Sequence, residues 1–168
     1  DLEKIAEAVK ECGRMVIAVL SPDINESRKD FTFMSDTQIR FGLLVIKNLG
    51  EEVIESIIAE RKAHGAFKDL SDMAGRISHR AFNKKSLEAL IKAGALDRFG
   101  ERKQLLENLD RILLHNKAIQ KEKASNQQSL FSGASTAMSQ GIVLRESPPA
   151  TMRELLAWEK ELLGLYVS

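Results

Sequence analysis

Apolar residues recur at Leu2, Ile5, Ala6, Val9 and Cys12, the three-and-four spacing of one helix face, and Gly13 is a plausible stop. An apolar run over residues 15–20 leads into Ser21-Pro22-Asp23. Proline removes a backbone donor there and predicts an irregular, turn-rich stretch through Lys29. Phe31, Phe33, Ile39 and Phe41 then alternate with polar positions on either side of Met34-Ser35-Asp36, which predicts a small β-hairpin over residues 31–34 and 37–41. Two strands alone are marginal in water, so the hairpin should rest on helices.

After Gly42 the period changes. Leu43, Ile46, Val53, Ile57 and Ile58 mark two helices broken at Asn48-Leu49-Gly50, the second running over residues 51–63 and closing at His64-Gly65 in a left-handed cap. Phe67 and Leu70 anchor the next turn, and Ser71 is placed to cap a short helix through Arg76. Asn83 or Ser86 can cap a further helix carrying Leu87, Leu90 and Ile91, which Ala93-Gly94-Ala95-Leu96 interrupts. Leu105, Leu106, Leu109, Ile112 and Leu113 line one face of a longer helix. From Lys117 the apolar face fades, and residues 120–148, rich in Gln, Ser, Lys, Gly and Glu and ending in Pro148-Pro149, read as a linker. A last helix over residues 151–163 carries Leu155, Leu156, Trp158 and Leu162, with Trp158 packing it on the bundle and Gly164 ending it.

Composition agrees with a mainly α fold. Aromatics make up only 5% of the chain, so the core must rest on Leu, Ile, Ala and Val. The net charge of +1 demands no nucleic-acid partner. Between Arg40 and Lys103, however, 13 Lys/Arg stand against 9 Asp/Glu, a modest basic excess compatible with phosphate contacts. Cys12 is the single cysteine, which excludes an intrachain disulfide and any cysteine-based metal site. His64, His79 and His115 lack ligand spacing, so no metal site is expected. No signal peptide or long apolar run is present, which points to a cytoplasmic protein without membrane contact. The chain opens without Met, directly in a helical pattern, and reads as cut from a longer protein.

The stretch Leu43-Leu44-Val45-Ile46-Lys47-Asn48-Leu49-Gly50-Glu51-Glu52-Val53 has the order helix, tight hairpin, helix. Gly50 would let the chain turn sharply and open the second helix, whose free N–H groups and positive dipole end suit a DNA phosphate. Leu49 would plug the space between the helices, Lys47 would add a salt-sensitive phosphate contact, and Asn48 stands at a left-handed position that asparagine tolerates. Glu51 and Glu52 favour a helix start but repel a phosphate. Leu90-Ile91-Lys92-Ala93-Gly94-Ala95-Leu96-Asp97 is a second, weaker copy, with Lys92 and Gly94 as its candidate DNA residues and Leu96 in the place of the second glycine. Glycine also marks the ends of many purely structural helices. The second copy and the intervening Arg76, Arg80, Lys84 and Lys85 favour DNA, although each of these cations alone also fits a solvated connector. The reading requires residues 46–52 to break rather than form one helix, and to stay open to solvent.

Several stretches, in order, resemble the alpha subunits of bacterial DNA polymerase III, the C-family replicative polymerases. They include Glu11-Cys12-Gly13-Arg14-Met15, Val19-Leu20-Ser21-Pro22-Asp23-Ile24-Asn25-Glu26-Ser27, Ile39-Arg40-Phe41-Gly42-Leu43 and Ile46-Lys47-Asn48-Leu49-Gly50. Asn83-Lys84-Lys85-Ser86-Leu87-Glu88-Ala89-Leu90-Ile91-Lys92-Ala93-Gly94-Ala95-Leu96-Asp97 and Glu159-Lys160-Glu161-Leu162-Leu163-Gly164-Leu165-Tyr166 continue the match. The resemblance implies the end of a fingers domain over residues 1–30, a tandem helix-hairpin-helix DNA-binding domain over 31–118, a linker with a clamp-binding motif over 119–150, and a helix over 151–168 leading to a further domain. It also implies nucleotidyl transfer with magnesium in the parent. Nothing here matches the palm aspartates of that family, so no catalytic residue and no cofactor are assigned to this chain; Asp23, Asp30 and Asp36 read as caps and turn residues.

Within the linker, Gln127-Gln128-Ser129-Leu130-Phe131 resembles the bacterial clamp-binding pentapeptide. Gln127 would hydrogen-bond, Ser129 fills the small position, and Leu130 and Phe131 would anchor in a groove, together gaining about 3–6 kcal/mol when fully buried. The alternative is that the two apolar residues dock back on the domain. The expected partners are duplex DNA, the sliding clamp (the beta subunit) and, through the parent, other replicase subunits. A helix-hairpin-helix module of a DNA repair nuclease or ligase is the competing function, and a protein-interaction bundle with degenerate hairpins is the third.

Overall fold

The computed structural model describes residues 2–78, 80–126 and 141–168. Its order is α1 (Leu2–Arg14), β1 (Ala18–Leu20), β2 (Thr32–Ser35), β3 (Gln38–Arg40), a single 3₁₀ turn (Leu43–Val45), α2 (Glu51–His64), α3 (Leu70–Arg76), α4 (Lys84–Lys92), α5 (Arg102–Glu107), α6 (Leu109–Asn126) and α7 (Met152–Leu163). The chain is mainly helical, as expected. Among the described residues no helix is long and apolar enough to cross a membrane.

The expected β-hairpin forms, with β2 and β3 antiparallel and a register shift between Phe33 and Ser35. It has a third member: β1 pairs parallel with β3, Ala18 opposite Gln38, giving the order β1-β3-β2. The apolar run at residues 15–20 therefore contains a strand whose partner lies well downstream, which local periodicity cannot reveal. Helix α1 buries none of its residues fully, and its apolar stripe is only half-covered. The chain after α7 lies against it, with Leu2 beside Gly164.

The division at residue 30 needs correction. Ile24 is fully buried in the same core as the helices of the bundle. Its N–H donates to the Ala95 carbonyl at 2.9 Å, and its carbonyl accepts from Arg61 Nη1 at 2.8 Å. The Asn25 amide grips both backbone groups of Phe67 at 2.9 Å. Asp23 Oδ1 accepts from the N–H groups of Asn25 and Glu26, as a turn residue should. The loop is thus part of the bundle, and a boundary at 30 cuts through packed structure.

Helix ends show why local chemistry was partly readable. Asn83 and Ser86 are not alternatives but the two halves of one capping box. Ser71 is not a cap: the Asp69 side chain accepts from the Asp72 N–H at 2.7 Å instead. Gly65 closes α2 at φ 84, positive as expected, but with extended ψ. The first arm of the first hairpin is a single 3₁₀ turn rather than an α-helix. Gly42 is pressed so closely on the Asp30 carbonyl that a Cβ would collide with it, and this extended, pinned position leaves only a short arm before Asn48. The single longer helix expected to carry Leu105, Leu106, Leu109, Ile112 and Leu113 breaks at Asn108, which is buried. Its Nδ2 donates to the Gln104 and Arg145 carbonyls, and its Oδ1 accepts from the Arg145 N–H at 2.8 Å.

Of the linker expected over 119–150, the described residues 119–126 and 141–150 pack on the bundle. Helix α6 continues to Asn126 and packs on α3, with Asn116 donating to the Ala74 and Ile77 carbonyls and Lys123 to the Gly75 carbonyl. Residues 141–150 form neither helix nor strand and lie against α5 and α6, with Val143 hydrogen-bonded to Arg111 and Arg145 to Asn108. Ile142 N–H donates to Ser71 Oγ at 2.8 Å and Ala150 N–H to Glu101 Oε1 at 2.9 Å. Polar side chains of the bundle satisfy the backbone of this segment, so its hydrophilic composition does not prevent ordering. Gln127, Ser129, Leu130 and Phe131 lie outside the described residues.

Helix α7 closes the bundle. Thr151 and Glu154 form its capping box, Trp158 is half-buried, and Leu162 and Leu163 enter the core. Glu159 is fully buried and meets buried Arg102 at 3.1 Å. Its carboxylate also accepts from the N–H groups of Val167 and Ser168 and from Ser168 Oγ. Arg102 in turn holds Asp97 through two bonds of 2.9 Å. Burial pushes the Glu159 pKa up, but hydrogen bonds from Ser168, Val167 and Arg102 outweigh it and leave the carboxyl below its ordinary range.

Removing one partner of a buried pair strands the other charge, so Glu159→Ala is expected to destabilise the chain by about 3–5 kcal/mol in urea denaturation. Because the folded pKa is depressed, the contribution of the ionised carboxylate is fully present above the ordinary value of 4.5 and is lost as pH falls through the folded value. The stability gap between the parent and Glu159→Gln should therefore narrow on acidification below that point, and a constant gap would contradict the assignment.

Candidate nucleic-acid interface

The first hairpin breaks where the sequence predicts. Asn48 adopts φ 66, the left-handed conformation, while Gly50 does not: it is extended at φ −71, ψ 152 and serves as the N-cap of α2. Asn48 therefore makes the sharp turn. At Gly50 the lack of a side chain leaves open space, since a Cβ there would meet no heavy atom within 4 Å. Leu49 is buried between the arms, as a plug should be, and Lys47, Asn48, Gly50, Glu51 and Glu52 are exposed. The turn is anchored from behind by the Lys47 N–H, which donates to the Leu162 carbonyl of α7 at 2.9 Å.

The amides of this turn are what a ligand would meet. Within α2, the first N–H groups to find a helical partner are those of Val53 and Ile54, both on the Gly50 carbonyl. Glu51 and Glu52 precede them, so their N–H groups have no partner within the helix. Helices α3, α4, α5 and α7 are each closed by a side chain, from Asp69, Asn83, Glu101 and Thr151, whereas α2 has no side-chain cap. Its donors and positive dipole end thus face solvent at a glycine. Lys47 has no ion-pair partner among the described residues. Glu51 does: Lys29 Nζ lies 3.7 Å from Glu51 Oε2 and 3.7 Å from Glu55 Oε1.

The second hairpin has the same sequence pattern and a different surface. Gly94 takes φ 86, but it is buried, and a Cβ there would lie 2.6 Å from Arg102 Nη2. The N–H groups of Gly94, Ala95 and Asp97 donate to the carbonyls of Ile91, Leu90 and Gly94. Helix α5 begins only at Arg102, with the Glu101 side chain on its first turn. Lys92 is held by Glu88 at 2.8 Å and Glu161 at 3.4 Å; burial pushes its pKa down, but these two carboxylates outweigh it and raise it. Lys92 and Gly94 therefore build the fold, and no open amide cradle stands there.

Of the basic residues between the hairpins, Arg76 is engaged by Glu60 and Asp72 and stacks over the Phe67 ring at 4.4 Å, while Arg80, Lys84 and Lys85 are exposed. His64 pairs with Glu60 at 2.9 Å, and no group of residues among those described could hold a metal ion. Sequence reasoning passed over Lys29. The signal was present as Glu51 and Glu55, two like charges one helical turn apart that call for a cation. It also missed the roles of Arg102 and Glu159, which only the packing of α7 brings together.

Residues 16–106 match the helix-hairpin-helix motif family. Over its full length the chain is 42% identical to DNA polymerase III subunit alpha of Deinococcus radiodurans and 38% identical to that of Thermus aquaticus, covering 13% of each. Over 99% of its length it is 35% identical to the Haemophilus influenzae subunit, covering 14% of that protein. The chain thus spans about a seventh or less of the length of these relatives. It belongs to the helix-hairpin-helix motif family, in a form similar from end to end to a region of the DNA polymerase III alpha subunits.

Proposed function

We propose that this chain is the part of a replicative DNA polymerase that holds duplex DNA by its backbone and tethers the enzyme to its sliding clamp. The observation that carries the first half is the uncapped, solvent-facing start of α2 behind Asn48 and Gly50, within a stretch matching the helix-hairpin-helix family. A phosphate oxygen can take the Glu51 and Glu52 amides while Lys47 adds a cation. Such contacts carry no base information, so binding is independent of sequence and weakens with salt. The contact falls on the first hairpin, with Lys47, Asn48, Leu49 and Gly50; Lys92 and Gly94 support it from within the fold. Similarity to replicative polymerase subunits favours this reading over a repair nuclease or ligase module.

The tether rests on the resemblance of Gln127-Gln128-Ser129-Leu130-Phe131 to a clamp-binding peptide. Two apolar anchors on a short peptide bind weakly once ordering costs are subtracted. Simultaneous DNA contact raises the local concentration of the peptide at the clamp, and the two weak grips reinforce each other. Nucleotidyl transfer and its magnesium belong, on this proposal, to other parts of the parent polymerase, as do contacts with further replicase subunits.

Gly50→Asp places a carboxylate in the open space before α2 at an unstrained φ, so it should fold normally and weaken duplex affinity roughly tenfold at low salt. Fluorescence anisotropy with a labelled duplex reads this directly, and unchanged affinity removes the first hairpin from DNA binding. Leu130→Ala with Phe131→Ala should abolish detectable clamp binding, a loss of about 3–6 kcal/mol, and leave duplex affinity intact. Clamp titrations that coincide for this variant and the parent would refute the tether.

A further inference from the structure

The α2 start carries an electrostatic conflict. Its amides favour an anion, yet Glu51 and Glu52 occupy its first turn and Glu55 stands one turn on. Glu51 and Glu52 stand in the turn whose amides would take the phosphate, so their repulsion acts at short range, where salt screens it only in part. Lys29, from outside the helix, reaches Glu51 and Glu55 together at 3.7 Å each. Its placement is not incidental to the hairpin. The Leu43 and Leu44 N–H groups donate to the Arg28 and Lys29 carbonyls at 2.9 and 3.1 Å, and Gly42 is pressed onto the Asp30 carbonyl. The backbone of residues 28–30 is thereby laced to the first arm of the turn that exposes the amides.

Exposed ion pairs contribute little to stability. The Lys29 side chain keeps 39% of its surface, and those of Glu51 and Glu55 keep 68% and 66%, so the triad is a poor stabiliser of the fold. Its effect falls on the field in front of α2. We infer that Lys29 is a positioning residue of the DNA site, which draws the Glu51 and Glu55 carboxylates aside and offsets part of their charge where the phosphate approaches. This rests on the proposed backbone grip of the first hairpin. Lys29 acts through the two glutamates and not by touching DNA. Glu52, adjacent to Glu51, has no ion-pair partner among the described residues and supplies an internal control.

The test is a mutant cycle in the whole chain, read by anisotropy on a labelled duplex at low salt, with thermal unfolding alongside. Lys29→Met should weaken binding roughly three- to tenfold with an unchanged unfolding midpoint, and Lys29→Arg should restore it. In a Glu51→Gln, Glu55→Gln background, Lys29→Met should lose clearly less affinity than in the parent, because only the direct attraction of the Lys29 charge to the phosphate remains and no carboxylate has to be held aside. In a Glu52→Gln background it should keep its full effect. An equal loss in the parent and the Glu51→Gln, Glu55→Gln background would mean that Lys29 acts on the phosphate by its own charge and not through the glutamates, and would overturn the inference, as would no loss in the parent. Gly50→Asp separates the two readings: if it weakens binding while Lys29→Met does not, only the role of Lys29 fails. If neither changes affinity, the backbone grip fails as well.

Discussion

Glu159 and Arg102 meet in the interior, where two charges are costly to bring out of water. The cost is met only because each is nearly saturated with partners. Glu159 accepts from Arg102, Ser168 and the Val167 N–H, and Arg102 divides its guanidinium between Glu159 and Asp97. This contact holds α7 to the second hairpin, and three residues farther along α7 the Leu162 carbonyl holds the Lys47 amide of the first. One helix therefore sets the positions of both hairpins. The chain leaving it, folded back onto Glu159, also leans on α1 through Gly164 and Leu2.

The two hairpins show how little a glycine says by itself. Gly94 is needed for its left-handed backbone and for the absence of a Cβ where Arg102 lies, and the amides around it are consumed internally. Gly50 needs no special backbone angle; its neighbour Asn48 takes the left-handed turn. What glycine provides at residue 50 is clear space in front of unpartnered N–H groups. The same residue type makes one turn a structural joint and leaves the other with open amides, and the difference lies in where the amide hydrogens go.

On the proposed function the grip is deliberately modest. Acidic residues at the mouth of the proposed phosphate site would weaken any hold on DNA through charge. On that proposal, backbone contacts that read no sequence would permit sliding, and a separate tether would keep the protein in place as it slides. The balance of Glu51, Glu52 and Glu55 against Lys29 and Lys47 then tunes affinity rather than creating it.

Much of this was legible along the chain because it is local. Helical spacing, the Asn83–Ser86 cap, the β2–β3 hairpin, the break at Asn48 and the plug at Leu49 depend on residues a few positions apart, whose backbone preferences act before any packing. The rest required distant segments to meet. The parallel pairing of β1, the entry of Ile24 into the core, the docking of residues 141–150 on Asn108 and Ser71, and the splitting of one expected helix at Asn108 all exchange hydrogen bonds across long stretches of sequence. So does the fate of the second hairpin, whose pattern resembles the first but whose amides and cation are claimed by neighbours from elsewhere. The sequence by itself determined the mainly helical character, the β2–β3 hairpin and the turn at Asn48. Tertiary structure decided which turn stays open, because exposure of an amide depends on every element that packs around it, and no local pattern encodes that.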